Sequence, residues 1–466
     1  MTRFLLSCVP VAVLVAALTG LRLPAWKAAL AAFAVCVAEA LAMRAAPVRD
    51  VALCAANGAA TGLFPIGLVI VAALFTYAVA RDSGAMAEIR AGLSSLSDDR
   101  RYLALLIAWG FGNFMEGMAG FGTAVAIPCA IMVGVGFDPM KAVLCCLVAN
   151  TTPTAFGSVG VPTLVLAKET ALDPGRLTSA IAFLQLATTS LSPFLVLLAA
   201  DGVRGLRERW GLALVADVAF LVPAVAVAAT IGCEMPNVFG GIAAMAALAF
   251  MGDRSRIDLR RQAWAWTPFA LVVAALGASA ALPARWRASP GFVIFAAAAA
   301  GGLVQRVRPA RLLALAWETA RRYAGAISTI CLVLAVAKVM GAAGMTQCLA
   351  DGLAAATGRW YPAVSPMVGA LGGFVTGSGT SSNVLFGALQ ASMGSTEAER
   401  IVFAASNVMG AGIGKMICPQ SIVLGCAAAG IAGRESEVMK KALAYFPFVL
   451  AAACASTAAW AALRGA

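Results

Sequence analysis

Two stretches of this chain, 257 positions apart, interrupt strongly apolar sequence with the same succession of glycines and small polar residues. Met118-Ala119-Gly120-Phe121-Gly122-Thr123 is followed by Asn150, and Thr376-Gly377-Ser378-Gly379-Thr380 is followed at the same distance by Asn407. At this single offset Gly120 matches Gly377, Gly122 matches Gly379, Thr123 matches Thr380, Asn150 matches Asn407, Gly157 matches Gly414 and Pro162 matches Pro419. Such sequence breaks helices and exposes hydrogen-bonding groups that hydrocarbon cannot satisfy. Inside a membrane it is tolerated only where protein or a water-filled cavity covers it, and paired interruptions in two halves point to the binding site of a secondary transporter.

Composition places the chain in a membrane independently of the repeat. Hydrophobic residues make up 61% and charged residues 12%, with a mean hydropathy of +0.89, whereas globular domains carry about 25% charged residues. The net charge of +12 comes mostly from basic residues in short loops between apolar runs. That is the pattern of cytoplasmic loops, not of a nucleic-acid surface, and no nucleic-acid partner is expected. The twelve cysteines lie mostly within apolar runs and lack C-x-x-C spacing, so they read as small buried residues. Histidine is absent, which removes the commonest metal ligand and proton shuttle. No metal and no cofactor is expected, and proton chemistry must use carboxylates, lysines or water.

Loop charge gives a topology. Apolar runs at 4–20 and 26–43 follow Arg3 with no clear A-x-A site between them, so the first reads as a retained helix. Arg81, Arg90, Arg100 and Arg101 mark one basic loop, and Arg204, Arg207 and Arg209 a second. Arg254, Arg256, Arg260 and Arg261 mark a third, and Arg306, Arg308, Arg311, Arg321 and Arg322 a fourth; all four should be cytoplasmic. Spans at 211–231 and 237–251, then 264–282 and 292–304, separate the later loops in even numbers. From the first loop, 103–116 goes out and 117–136 returns, leaving Asp138 and Lys141 inside. From the fourth, 324–343 ends outside, 364–375 and 380–393 go in and back, and 395–400 lies outside. The matching loops thus fall on opposite faces, an inverted repeat reached by counting charge.

The expected fold is an all-α polytopic membrane protein with about 12 transmembrane segments in two inverted repeats, with discontinuous helices or re-entrant hairpins at the midplane. Its expected parts are amino-terminal helices (1–80), a first repeat core (81–200), connecting helices (201–323) and a second repeat core (324–466). The 51–61 run is too short for an ordinary span.

The interrupted segments resemble the L-lactate permease family. The resemblance rests on Phe111-Gly112-Asn113-Phe114-Met115-Glu116-Gly117 running on to Thr123, on Asn150-Thr151-Thr152-Pro153-Thr154-Ala155-Phe156-Gly157, on Thr376 to Gly387, and on Gly414-Lys415-Met416-Ile417-Cys418-Pro419-Gln420-Ser421. It extends from about Tyr77 to the end and takes in Gly433-Arg434-Glu435-Ser436. It implies a multi-pass symporter of the cytoplasmic (inner) membrane that takes up lactate, glycolate and similar 2-hydroxy monocarboxylates with protons. Three positions depart from the family pattern: Gly379 stands where aspartate is usual, Val408-Met409 replace a polar pair after Asn407, and Ala124 replaces a proline. The chain is also shorter than typical members. These departures leave substrate and coupling ion open, and an uncoupled facilitator or exchanger for another small organic anion is the alternative.

The residues themselves suggest an anion site. Gly120, Gly122, Gly377 and Gly379 permit turns that leave amide N–H groups free for a carboxylate. Thr123, Asn150, Thr151, Thr152, Ser378, Thr380, Ser381, Ser382, Asn383 and Asn407 could complete the shell and hold a 2-hydroxyl group. The other reading is that these small residues let helices approach and hydrogen-bond one another. Gly410, Gly412 and Gly414 argue that the backbone leading to Lys415 is unwound, with its ammonium either balancing substrate or snorkelling to an interface. Glu116 is the candidate proton carrier, or else pairs with Lys415. Lys338, near the outer end of its span, reads as snorkelling. No glycine run has the G-x-x-x-x-G-K-[ST] spacing of a nucleotide loop, and neither a nucleophile with its base nor a metal-ligand set marks an enzyme. A passive channel stays open on composition alone. The partners expected are a small organic anion, protons and the lipid bilayer, with homo-oligomerisation open.

Overall fold

The structure, a computed structural model, describes residues 2–17, 21, 23–43, 47–253, 255, 258–282 and 288–463; Arg254 and Arg256 of the third basic loop lie outside them. Among the described residues all regular structure is helical. An amino-terminal segment carries α1 (Thr2–Val15), α2 (Ala25–Ala42) and α3 (Val48–Thr61). A first series follows: α4 (Leu68–Asp82), α5 (Ala85–Ser95), α6 (Arg100–Ala104), α7 (Gly112–Met118), α8 (Thr123–Gly134), α9 (Pro139–Ala149), α10 (Gly157–Thr170), α11 (Pro174–Leu184) and α12 (Leu186–Thr230). Then come α13 (Pro236–Met251), α14 (Leu259–Ala281), α15 (Pro290–Val304) and α16 (Pro309–Arg322). The second series is α17 (Ala324–Ala342), α18 (Met345–Thr357), α19 (Tyr361–Thr376), α20 (Gly379–Ser392), α21 (Glu397–Lys415), α22 (Pro419–Ala428), α23 (Glu435–Ala442) and α24 (Phe446–Leu463).

Several helix starts at the loops carry side-chain caps. Asp138 accepts from the Lys141 amide, with Pro139 in the first turn of α9, and Asp173 with Pro174 does the same for α11. Thr396 and Glu399 close a capping box on α21. The starts of α8 and α22 use no side-chain cap: Gly122 precedes α8 in the left-handed conformation and Cys418 precedes α22.

Helix order recurs at the sequence offset, with α8 falling on α20, α9 on the start of α21, α10 on α22 and α11 on α23. Packing between the series is reciprocal. Helix α8 packs on α22 while α10 packs on α20, and α9 packs on α23 while α11 packs on α21. Each helix that follows a glycine break therefore rests on the helix that follows the bend in the other series.

Among the described residues, five stretches are long and apolar enough to cross a bilayer: Ala25–Ala42, Val48–Asp82, Leu186–Thr230, Ala324–Ala342 and Phe446–Leu463. Two bent pairs, Pro139–Ala149 with Pro153–Thr170 (69°) and Glu397–Lys415 with Pro419–Ala428 (44°), raise the number to seven. The molecule is a multi-pass helical membrane protein, but length and composition fall short of the twelve or so spans expected. Helices beside the glycine breaks account for part of the difference. The 12 residues of α8 extend only about 18 Å, against a hydrocarbon core of about 30 Å. The short 51–61 run is not isolated either: it continues through a break at Phe64 into α4. The second basic loop likewise lies within α12, at its non-helical residues Asp201, Gly202 and Arg209.

One expectation about backbone is overturned. Helix α21 continues unbroken to Lys415 through Gly410, Gly412 and Gly414. These glycines allow close approach. A Cβ at Gly410 would lie 2.1 Å from the Pro366 carbonyl oxygen, one at Gly412 2.2 Å from that of Thr151, and one at Gly414 1.9 Å from that of Ala370. With Gly369 and Gly373 of α19 pressed equally close to α21, the two helices pack backbone to backbone.

Candidate functional site

The two glycine breaks meet between the series. Gly120, Phe121 and Gly122 are three successive residues with positive φ (60°, 48° and 87°), and Gly377 has φ 64°. Gly379 differs from expectation, because it is the first residue of α20 rather than a left-handed turn. Its missing side chain serves close approach instead: a Cβ there would lie 2.5 Å from Thr154 Cγ2. The start of α10 adds a second left-handed turn at Ser158, Val159 and Gly160. Non-glycine residues pay strain in this region, so the turn persists because its surroundings impose it. Ser158 Oγ donates to the Ala119 carbonyl at 3.0 Å and seats against Gly120, where a Cβ would be only 2.0 Å from that oxygen. The two left-handed turns thus hold each other.

A cavity of about 270 Å³ lies where these elements converge. Gly122 before α8, Gly157 and Ser158 of α10, Ser378 before α20 with Gly379 to Ser381 of α20, and Gln420 and Ser421 of α22 all line it. First-turn amides of helices have no intrahelical acceptor and carry the positive end of the helix dipole. Three helix N-termini, those of α8, α20 and α22, thus meet at one cavity, an arrangement that favours an anion.

Two ionisable side chains stand in its wall. Lys415 Nζ lies 2.6 Å from Glu116 Oε1, and the residues are only 6% and 3% exposed. The second Glu116 oxygen is buried, with no hydrogen-bond partner among the described residues. Lys415 ends α21, where a cation also opposes the negative end of the dipole. The two side chains are paired, and the pair remains on the cavity surface.

The structure divides the remaining candidates. Gly122, Gly377, Ser378, Gly379, Thr380, Ser381, Lys415 and Glu116 line the cavity. Gly120 and Thr123 support its rim, with Thr123 Oγ1 donating to the Gly120 carbonyl at 2.8 Å. Thr151 and Thr152 turn their hydroxyls to the Val148 and Ala149 carbonyls, and Asn150 caps the end of α9. Ser382 donates to the Gly369 carbonyl. Asn383 donates to the Pro162 carbonyl at 2.9 Å and accepts from Asn407 at 2.9 Å. Asn407 also accepts from Gln390, which is joined to Ser365 and Tyr361. That buried network ties α19, α20 and α21 together.

Sequence reasoning missed Thr154, Ser158, Tyr323, Thr329, Gln420 and Ser421 among the residues that line the cavity. Thr154, Ser158 and Gln420 fall in or beside the interrupted motifs and were within reach. Thr329 comes from α17, whose apolar run carries no signal. Lys338, read from sequence as snorkelling, lies 3.0 Å from Glu169 Oε2, whose side chain is 4% exposed.

The L-lactate permease family profile matches residues 3–279 and 267–463. An L-lactate permease of Bacillus subtilis is 31% identical, the match covering 97% of this chain and 95% of that protein. A glycolate permease of Escherichia coli is 35% identical over 84% of both chains. An L-lactate permease of Streptococcus iniae is 35% identical, covering 74% of this chain and 80% of its own length. These relatives are named as permeases, transport proteins rather than enzymes. The chain belongs to the L-lactate permease family.

Proposed function

We propose that this protein is a secondary transporter of the inner membrane that imports lactate, glycolate and similar short 2-hydroxy monocarboxylates together with protons. The observation that carries the reading is the meeting of three helix N-termini and Lys415 at one cavity between the two series. A carboxylate fits that field, and Thr380, Ser381 and Ser158 offer hydroxyls to a 2-hydroxyl group. In this reading 81–200 and 324–466 are inverted repeats whose hairpin tips enter from opposite faces. Glu116 carries the proton: protonation would release Lys415 to the incoming carboxylate.

One observation favours the alternative, an uncoupled facilitator or exchanger. The Glu116–Lys415 pair is already neutral as a unit, and Gly379 brings no further acid to the cavity.

Ligand-induced stabilisation of the purified protein tests the substrate class. A ligand that binds only the folded state raises the unfolding temperature in proportion to the logarithm of its concentration over Kd. L-lactate, D-lactate or glycolate should give a saturable shift. No shift with any of the three, together with a shift from an unrelated solute, would remove the assignment.

A further inference from the structure

Helices α10 and α17 border the cavity only with their amino-terminal parts. Gly157, Ser158 and Pro162 of α10 and Ala326, Thr329 and Ile330 of α17 line it, with Tyr323 just before α17. At their other ends the same two helices are joined by the Lys338–Glu169 ion pair. Lys338 stands about 12 to 18 Å further along α17 than the lining residues. The neighbouring Lys168 Nζ adds a 3.3 Å hydrogen bond to Thr61 Oγ1 of α3.

The pair joins two helices whose closest packing is with different neighbours, although α17 also touches α20. Helix α17 is pressed against α3, where a Cβ at Gly58 or Gly62 would lie 2.6 Å from the Ala335 or Cys331 Cα. Helix α10 is pressed against α20 at Gly387, where a Cβ would lie 2.5 Å from Leu166 Cδ1. The pair is also built to open. The Lys338 side chain is 31% exposed, and one buried Glu169 oxygen has no hydrogen-bond partner among the described residues.

We propose that Glu169–Lys338 is a latch that closes the face opposite the basic loops while the cavity faces the basic-loop side, and that it must break for substrate to enter from the closed face. The mouth is assigned by Tyr323, which directly follows Arg321 and Arg322. The proposal rests on the transport reading, yet its test needs no substrate.

The test is labelling of Thr329→Cys by a membrane-impermeant maleimide in right-side-out and inverted vesicles, read on the residue 329 peptide by mass spectrometry so that native cysteines do not interfere. With the latch intact, labelling should come mainly from the basic-loop face. Glu169→Gln or Lys338→Met should raise labelling from the opposite face by roughly fivefold or more, and the exchanged pair Glu169→Lys with Lys338→Glu should return it toward the starting value. If single variants fail to reach the membrane, Glu169→Cys with Lys338→Cys carries the test: oxidation should confine labelling to the basic-loop face and reduction should release it. Opposite-face labelling that is unchanged by the single variants, or that persists in the oxidised double-cysteine protein, overturns the latch. Loss of the lactate and glycolate assignment with these ratios intact would overturn the substrate reading alone.

Discussion

Lys415 and Glu116, 299 positions apart in the chain, meet at 2.6 Å in the wall of a cavity that both glycine breaks help to form. Removing one partner of such a pair leaves a buried charge, at a cost of about 3–5 kcal/mol, whereas removing both costs far less. Lys415→Met should therefore lower the thermal stability of the purified protein more than Glu116→Gln combined with Lys415→Met. Equal or additive losses, measured by unfolding in detergent, would mean that the two side chains are not coupled.

Coupling to protons gives a second expectation. Glu116→Gln keeps the size of the side chain but cannot release and rebind a proton. It should abolish accumulation driven by an imposed pH gradient in proteoliposomes while sparing exchange at equilibrium. Full gradient-driven accumulation by the variant would assign the proton to another group or to water.

The places where helices break were legible because glycine and hydroxyl residues stand out in apolar sequence. What the glycines do was less so. In hydrocarbon a glycine serves an unwound turn or a close helix contact, and composition does not separate the two. Gly120, Gly122 and Gly377 take the turn, while Gly379, Gly410, Gly412 and Gly414 take the contact. Asn383 and Asn407 stand outside the cavity lining, with their amides bonded to each other and to the Pro162 carbonyl. Lys338 was unreadable without its partner, since Glu169 reaches it only through the packing of distant helices.

The glycine contacts are testable with an internal control. Gly414→Ala, whose Cβ would lie 1.9 Å from a backbone oxygen, should destabilise by about 1–3 kcal/mol or more. Gly277→Ala in α14 meets nothing within 4 Å and should be neutral or stabilise by about 0.4–1 kcal/mol. Thermal midpoints of the two variants, compared with the parent, check the contrast. Similar losses in both would contradict the packing role.

Acid sensitivity should show at the loop before α6. Burial alone would raise the Asp99 carboxyl pKa, but hydrogen bonds from Arg101 and the charges of Arg101 and Arg209 outweigh it and hold the group below its ordinary value. The stability it contributes is present above the ordinary carboxylate range and is lost as pH falls through the lowered folded value. Asp99→Asn should therefore lower the unfolding temperature near neutral pH and flatten its fall between about pH 5 and 3. An unchanged pH profile would show that Asp99 carries no such linkage.

Counterflow in proteoliposomes tests the central claim most directly. Vesicles loaded with unlabelled L-lactate or glycolate should take up the labelled acid transiently above equilibrium, at a saturable rate that Lys415→Met strongly reduces and Gly277→Ala leaves intact. Absence of counterflow with L-lactate, D-lactate and glycolate, in a preparation that exchanges some other solute, would contradict the account.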